Sequence, residues 1–294
     1  MLEVALHTNS TNNGETVSAP ARRPLMLAYH AVSSTWSSPL AVPEAALDAQ
    51  AAHMRRSGYE GLTFAEAERR RAQGTLPPRT VVFSFDDGYA STLRAAETLA
   101  RHGYPGTVFV VARFAESGDP LSWEGIEHEL AGGGSELSPL GWDALAGLAA
   151  QGWEVGSHTV NHRLLVGLDD AALEHELAES RRLIAERLGS CDTIAYPYGQ
   201  ADDRVAAAAA RAGYTAACTL TGAHIADGAH LRPRINMTGA DVGLRLRMKV
   251  SPAGVGLRRS SAARTVRRLR RRRSWLPAAP NGGDGELDKS ARPG

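Results

Sequence analysis

Two short segments concentrate the side chains that ionise, bind metals or move protons. Ser84-Phe85-Asp86-Asp87-Gly88-Tyr89 sets two acids side by side, directly after the largely apolar run Thr80-Val81-Val82-Phe83. Adjacent carboxylates at the end of a buried strand are costly unless something positive stands near. The C-terminal ends of parallel strands are also where βα folds place their active sites. The plainer reading is that Asp86 or Asp87 caps a helix starting near Ala90, with Gly88 shaping the turn. Ser157-His158-Thr159-Val160-Asn161-His162 likewise follows a strand-like stretch, 153–156. Two histidines four apart meet on one face of a helical turn, which suits a metal with imidazole ligands. A histidine pair alone is a weak signal. Joined to the acid pair it makes an Asp-His-His set with open positions, the pattern of a catalytic divalent metal.

Three further segments carry chemistry at strand ends. Ala195-Tyr196-Pro197-Tyr198-Gly199 reads first as a turn, and in an active site such a constrained backbone aims N–H groups at a developing oxyanion. Leu27-Ala28-Tyr29-His30 ends a strand on a histidine, a place where histidine is more often structural than catalytic. Leu231-Arg232-Pro233-Arg234-Ile235 puts a buried-looking arginine, Arg234, at another strand end.

The elements that must position these residues alternate. Short apolar runs at 25–30, 61–63, 81–85, 107–111, 153–156, 193–196, 215–219 and 232–235 are the candidate strands. Helical stretches fall at 43–57, 64–73, 91–102, 139–151, 169–188 and 202–212, the long 169–188 one opening on Asp169-Asp170 and stopping before Gly189. Repeated βα alternation predicts an α/β fold with a mostly parallel sheet, either a barrel or a doubly wound layer. The loop segment 112–138 is where substrate selection is expected, with Trp123 a candidate to stack on a substrate or simply to pack.

Composition separates the ends from this core. Residues 1–23 are polar and read as a disordered arm, 24–250 as the folded domain and 251–294 as an Arg-rich, disordered tail. Between Val242 and Gly283 there are 12 Lys or Arg and no acid, so the 21 other basic residues face 32 acidic ones and the main domain is acidic. Nucleic acid is therefore not an expected partner. The basic tail reads as a solvated end, or as a point of peripheral contact with an anionic membrane or an acidic partner. Neither a signal peptide nor an apolar run of membrane-spanning length is visible, which makes the cytoplasm the expected location, with peripheral contact at the inner membrane face. The two cysteines, Cys191 and Cys218, read as small buried hydrophobes.

In this order the motifs resemble the polysaccharide deacetylase family, the NodB-homology or carbohydrate esterase family 4 domain. Ser84-Phe85-Asp86-Asp87-Gly88 is similar to its T-F-D-D-G motif. His158 to His162 fits H-[ST]-x-x-H, and Tyr196-Pro197-Tyr198-Gly199 fits most of R-x-P-Y-G, with Ala195 standing where the arginine is usual. The resemblance covers about residues 24–240. It implies a distorted (β/α) barrel of seven or eight mostly parallel strands and hydrolysis of the N-acetyl group of an amino sugar, in a glycan, a lipid-linked sugar or a glycoside. It implies a divalent cation held by Asp87, His158 and His162, with Zn2+ the default and Co2+, Mn2+, Ni2+ or Fe2+ the alternatives. Asp86 is then the general base and the backbone N–H of Tyr198 an oxyanion donor. No fourth motif and no late L-x-H motif stands out, so the pattern resembles the poly-N-acetylglucosamine deacetylase branch. There an early L-x-Y-H histidine, here His30, is the general acid, and Arg234 stands in for the missing arginine and orients Asp86. O-deacetylation, deformylation, another amide hydrolysis, or sugar binding without catalysis are the competing functions.

Overall fold

A computed structural model describes residues 23–123, 127–220 and 228–259. The first 22 residues of the expected arm and the Arg-rich segment 260–294 lie outside the described residues.

Ten strands and ten α-helices make up the described chain. The strands are β1 (Leu25–Tyr29), β2 (Ala31–Val32), β3 (Ala41–Val42), β4 (Glu60–Gly61), β5 (Thr80–Phe85), β6 (Thr107–Val110), β7 (Glu154–Ser157), β8 (Thr193–Ala195), β9 (Ala216–Leu220) and β10 (Arg232–Asn236). The helices are α1 (Glu44–Arg56), α2 (Phe64–Ala72), α3 (Thr92–Ala100), α4 (Ala112–Ser117), α5 (Glu127–Leu130), α6 (Trp142–Ala150), α7 (Asp170–Leu188), α8 (Asp203–Arg211), α9 (Gly243–Val250) and α10 (Pro252–Arg259).

Seven strands close a parallel barrel in the order β1-β10-β9-β8-β7-β6-β5, shut by the pairing of β1 with β5. The distortion is local. β5 pairs with β4 at Thr80 and Val81 but with β6 at Ser84 and Phe85, so two short strands share one edge of β5. This meets the expected barrel and selects it over the doubly wound layer.

The two-residue period of a strand decides what points inward. Val81, Phe83 and Phe85 of β5 join Leu27 and Tyr29 of β1 in the outer core, against the helices. Val82 and Met26 instead join Phe109, Ala195, Ala216 and Cys218 inside the barrel, where Phe64 and Ala67 of α2 also pack. The first turn of α2 is tied to the barrel strands, since Thr107 Oγ1 accepts from the Phe64 N–H and Glu154 Oε2 from that of Ala65. Continuing the inward set up β5 reaches Ser84 and then Asp86, and on β10 it holds Arg232 and Arg234. Arg232 pairs with Glu68 of α2, and Arg234 reaches the opposite end.

The sequence-predicted helix ends match where a side chain caps them. Asp169 accepts from the Ala172 N–H at 2.8 Å, and Gly189, at φ 88°, closes α7 in the left-handed conformation. Helices α4, α5, α9 and α10 have no counterpart among the expected ones. α10 runs from Pro252 to Arg259, beyond the expected domain edge at 250, and Val255 packs on the outer core. Cys191 and Cys218 are both free and buried. Among the described residues no helix is long and apolar enough to cross a membrane.

Candidate active site

The C-terminal mouth of the barrel gathers Asp86 and Asp87 after β5, His158 and His162 after β7, and Tyr198 after β8. The plainer expectation for the acids does not hold: α3 starts at Thr92 behind Ser91 and receives no side-chain cap. The expected helical turn across the histidines is also absent. Thr159 and His162 sit at φ 71° and 59°, left-handed values that a right-handed helix cannot contain.

All four non-glycine residues with positive φ among those described belong to this site: Asp87 (72°), Thr159 (71°), His162 (59°) and Tyr198 (58°). Such conformations cost ~1–3 kcal/mol each and persist only where the surroundings over-determine them. Here they do. Ser157 Oγ accepts from the Thr159 N–H at 3.0 Å, and Thr159 Oγ1 accepts from the His162 N–H at 3.0 Å. The carbonyls of Thr159 and Val160 accept from the N–H groups of Ala112 and Arg113 at the start of α4. Glu176 of α7 takes three further donors, the N–H groups of Val160 (3.0 Å) and Asn161 (2.9 Å) and the Asn161 side-chain amide (2.9 Å). Gly88, at φ 76°, is needed as well, since a Cβ there would stand 3.0 Å from Val110.

The donor atoms converge. Asp87 Oδ1 lies 3.3 Å from His158 Nε2 and 3.4 Å from His162 Nε2, and the three donor atoms fall within 4.8 Å of one another. All three side chains are buried. The Ala195 carbonyl, 2.7 Å from His158 Nδ1, can only accept, so Nδ1 carries the proton and Nε2 keeps its lone pair for a cation. His162 is held by rings instead, stacked on Trp123 at 4.0 Å between centroids and edge-on to Tyr198 at 4.8 Å.

Known proteins resemble this chain in sequence and in fold. The polysaccharide deacetylase family model matches residues 73–217, a span holding Asp86, Asp87, His158, His162 and Tyr198. This chain carries a polysaccharide deacetylase domain. The Bacillus subtilis protein YxkH, assigned by name to the polysaccharide deacetylases, is 28% identical over 198 residues, 66% of this chain. The match spans 63% of the length of YxkH. The fold is shared with solved deacetylases. The Streptococcus pyogenes deacetylase PplD, solved in complex with acetate, superposes with a TM-score of 0.65 at 24% identity, covering 79% of this chain and 98% of that one. The Aggregatibacter actinomycetemcomitans de-N-acetylase gives 0.64 at 20% identity, covering 76% and 98%. IcaB from Ammonifex degensii gives 0.60 at 24% identity, covering 75% and 94%.

The donor set of Asp87, His158 and His162 fits a divalent cation. Asp87 Oδ1 is buried with no hydrogen-bond partner, an orphan that a cation would satisfy. One carboxylate and two imidazoles suit Zn2+ and its first-row neighbours. Burial works to raise the Asp87 carboxyl, but the two imidazoles and His30 outweigh it and hold it well below the usual carboxylate range.

Asp86 meets a different partner. Arg234, fully buried, grips it with two bonds, Nη1 to Oδ1 at 2.6 Å and Nη2 to Oδ2 at 2.8 Å. Nη1 also reaches Ser84 Oγ at 3.0 Å, and that hydroxyl donates to the Leu27 carbonyl at 2.8 Å. Burial pushes Asp86 up, yet the charges of Arg234, His158 and His30 bring it below its ordinary value. Both Arg234 and His30 lie outside the matched span. His30 directly follows β1, where Tyr29 is level with Phe85, so it stands level with Asp86. It is half-buried at the mouth.

Sequence reading missed Glu176 and Ser84. Glu176 is one acid among several on the amphipathic helix α7, and only the fold shows that it turns inward to a loop. Trp123, a candidate for stacking on substrate, is stacked on His162.

Proposed function

We propose that this protein is a metal-dependent hydrolase that removes the acetyl group from an N-acetylated amino sugar, in a glycan, a lipid-linked sugar or a glycoside, with zinc as its cation. The supporting observation is the pairing of two adjacent acids with separate tasks. Asp87 has an unsatisfied oxygen aimed at two imidazoles, and Asp86 is held ionised by Arg234. Asp87, His158 and His162 would hold the cation. Once bound, it supplies Lewis-acid polarisation of the acetamide carbonyl and acidifies water.

The residues of the chain do the rest. Asp86 takes the proton of the attacking water on its carboxylate. The backbone N–H of Tyr198 donates to the oxygen that becomes negative as the carbonyl carbon turns tetrahedral. As the C–N bond breaks, His30 delivers a proton to the departing nitrogen, leaving an amino sugar and acetate. Arg234 positions Asp86. The acetate bound by PplD is the product this reading expects here.

Acetate release from N-acetylglucosamine oligomers and from small amino-sugar glycosides, with zinc-loaded protein, tests the reading. Asp86→Asn is expected to lower kcat by ~10²–10⁴-fold. Faster release from O-acetyl or N-formyl sugars than from N-acetyl sugars would assign the same site to a different bond.

A further inference from the structure

Helix α9 carries apolar side chains on both its buried and its exposed face. Its inner face holds Leu246, Lys249 and Val250, buried against the barrel. Its outer face carries Leu244 and Met248, one turn apart and 70% and 58% exposed, with Val242 just before the helix at 39%. These are three of the four large hydrophobic residues exposed among the described residues.

The charge around them has one sign. Arg245 and Arg247 stand exposed beside the apolar pair. From Val242 to Arg259 the chain has no acid, and the run of 12 bases without an acid continues to Gly283. Asp241, at the head of the helix, is fully buried and committed to Arg245 at 3.0 Å, to Lys249 and to Thr238. Neighbouring α1 adds to the same side: His53 feels the charges of both Arg247 and Arg56. The acids of α1, Glu44 and Asp48, face Arg101 and His102 instead.

We infer that the outer face of α9 is a membrane-docking surface for a bilayer containing anionic lipid, with Leu244 and Met248 entering the headgroup boundary and Arg247 and Arg56 contacting the lipid phosphates. Its size favours lipid over protein. Two or three side chains fall far short of the ~800 Å² per partner of a stable protein interface. An interfacial helix, by contrast, needs only a few buried apolar side chains, and the neighbouring bases supply the selectivity. α9 follows β10 through the loop 237–242, which leaves the barrel at the mouth end. Docking through α9 therefore brings the side of the barrel, and with it the rim of the site, to the lipid surface. The inference does not depend on the deacetylase reading.

The full-length protein, sedimented with vesicles of phosphatidylcholine alone or mixed with phosphatidylserine, tests it. Binding is expected to the mixed vesicles only and to weaken with salt, as the Debye length shrinks below ~10 Å above ~0.1 M. The double variant Leu244→Ser, Met248→Ser is expected to lose roughly tenfold or more in partitioning, with unchanged thermal melting. Arg247→Glu reads the same surface through charge, should the double variant fold poorly. Equal binding to both vesicle types, absence of binding, or wild-type binding by the folded double variant would each overturn the inference. So would a dimer that the double variant converts to monomer, since the face would then join two copies of this chain.

Discussion

Asp86 and Asp87 are neighbours in the chain and opposites in environment. A strand's alternation sends Asp86 to Arg234, across the barrel on β10, while the left-handed conformation at Asp87 turns its carboxylate to the two histidines. The sign of a pH effect follows. Turnover in the proposed reaction needs Asp86 ionised. Burial raises its pKa and the Arg234 charge is the largest influence lowering it. Removing that charge in Arg234→Met leaves burial unopposed by it, so the acid limb of kcat/KM is expected to move to higher pH, and Arg234→Lys to restore part of the shift. The same Arg234→Met change strands a buried carboxylate and is expected to destabilise the fold by about 3–5 kcal/mol. A pH-rate profile that superposes on the wild type would show that Arg234 has no hold on Asp86.

At the scale of elements, the loop from His158 to His162 depends on helix α7. Three donors of that loop end on the Glu176 carboxylate, which is itself 1% exposed. Glu176→Gln keeps the volume but turns an amide N–H₂ toward groups that also donate. The expected loss is about 1–3 kcal/mol of stability and ~10–100-fold in metal affinity, the range seen when an outer support of a metal ligand is removed. Competition with a chelator of known affinity reads the second quantity without any turnover. A variant that melts lower yet binds zinc as tightly as wild type would reduce Glu176 to a packing role. Two helices frame the loop differently: α7 holds it by a side chain, α4 by backbone N–H groups of its first turn.

The whole molecule is a closed barrel whose two ends have diverged. At one end Arg232 pairs with Glu68 of α2, and Thr107 and Glu154 tie down that helix's first turn. At the other end Asp87, His158 and His162 bring their donor atoms within 4.8 Å of one another. A ligand that binds only the folded state stabilises it by mass action, so zinc at ~100 times its Kd is expected to add about 2.7 kcal/mol. A thermal melt with and without chelator measures this. Asp87→Ala is expected to abolish the zinc-dependent part of the shift, and an Asp87→Ala protein with the full zinc shift would remove the proposed ligand set.

Much of this was legible in the residues taken in order. Strand-end placement of Asp86-Asp87, His158, His162 and Tyr198 follows from local patterning, because an apolar run broken by a polar cluster marks the end of a buried strand wherever it occurs. The parallel α/β class follows from the alternation of such runs with helical stretches. Helix ends such as Asp169 and Gly189 are local too. What the chain order could not decide was every relation made across the barrel. Arg234 lies 148 positions from Asp86, a pairing expected only through the family resemblance, and Glu176 reaches back 15 and 16 positions to Asn161 and Val160. The left-handed conformations of Thr159 and His162 run against their own preferences, and the local bonds of Ser157 and Thr159 hold them together with Glu176 and the first turn of α4. Local patterning assigns residues to elements. Closure of the sheet brings their ends together, and that closure is set by the sum of strand pairings, which no single segment encodes.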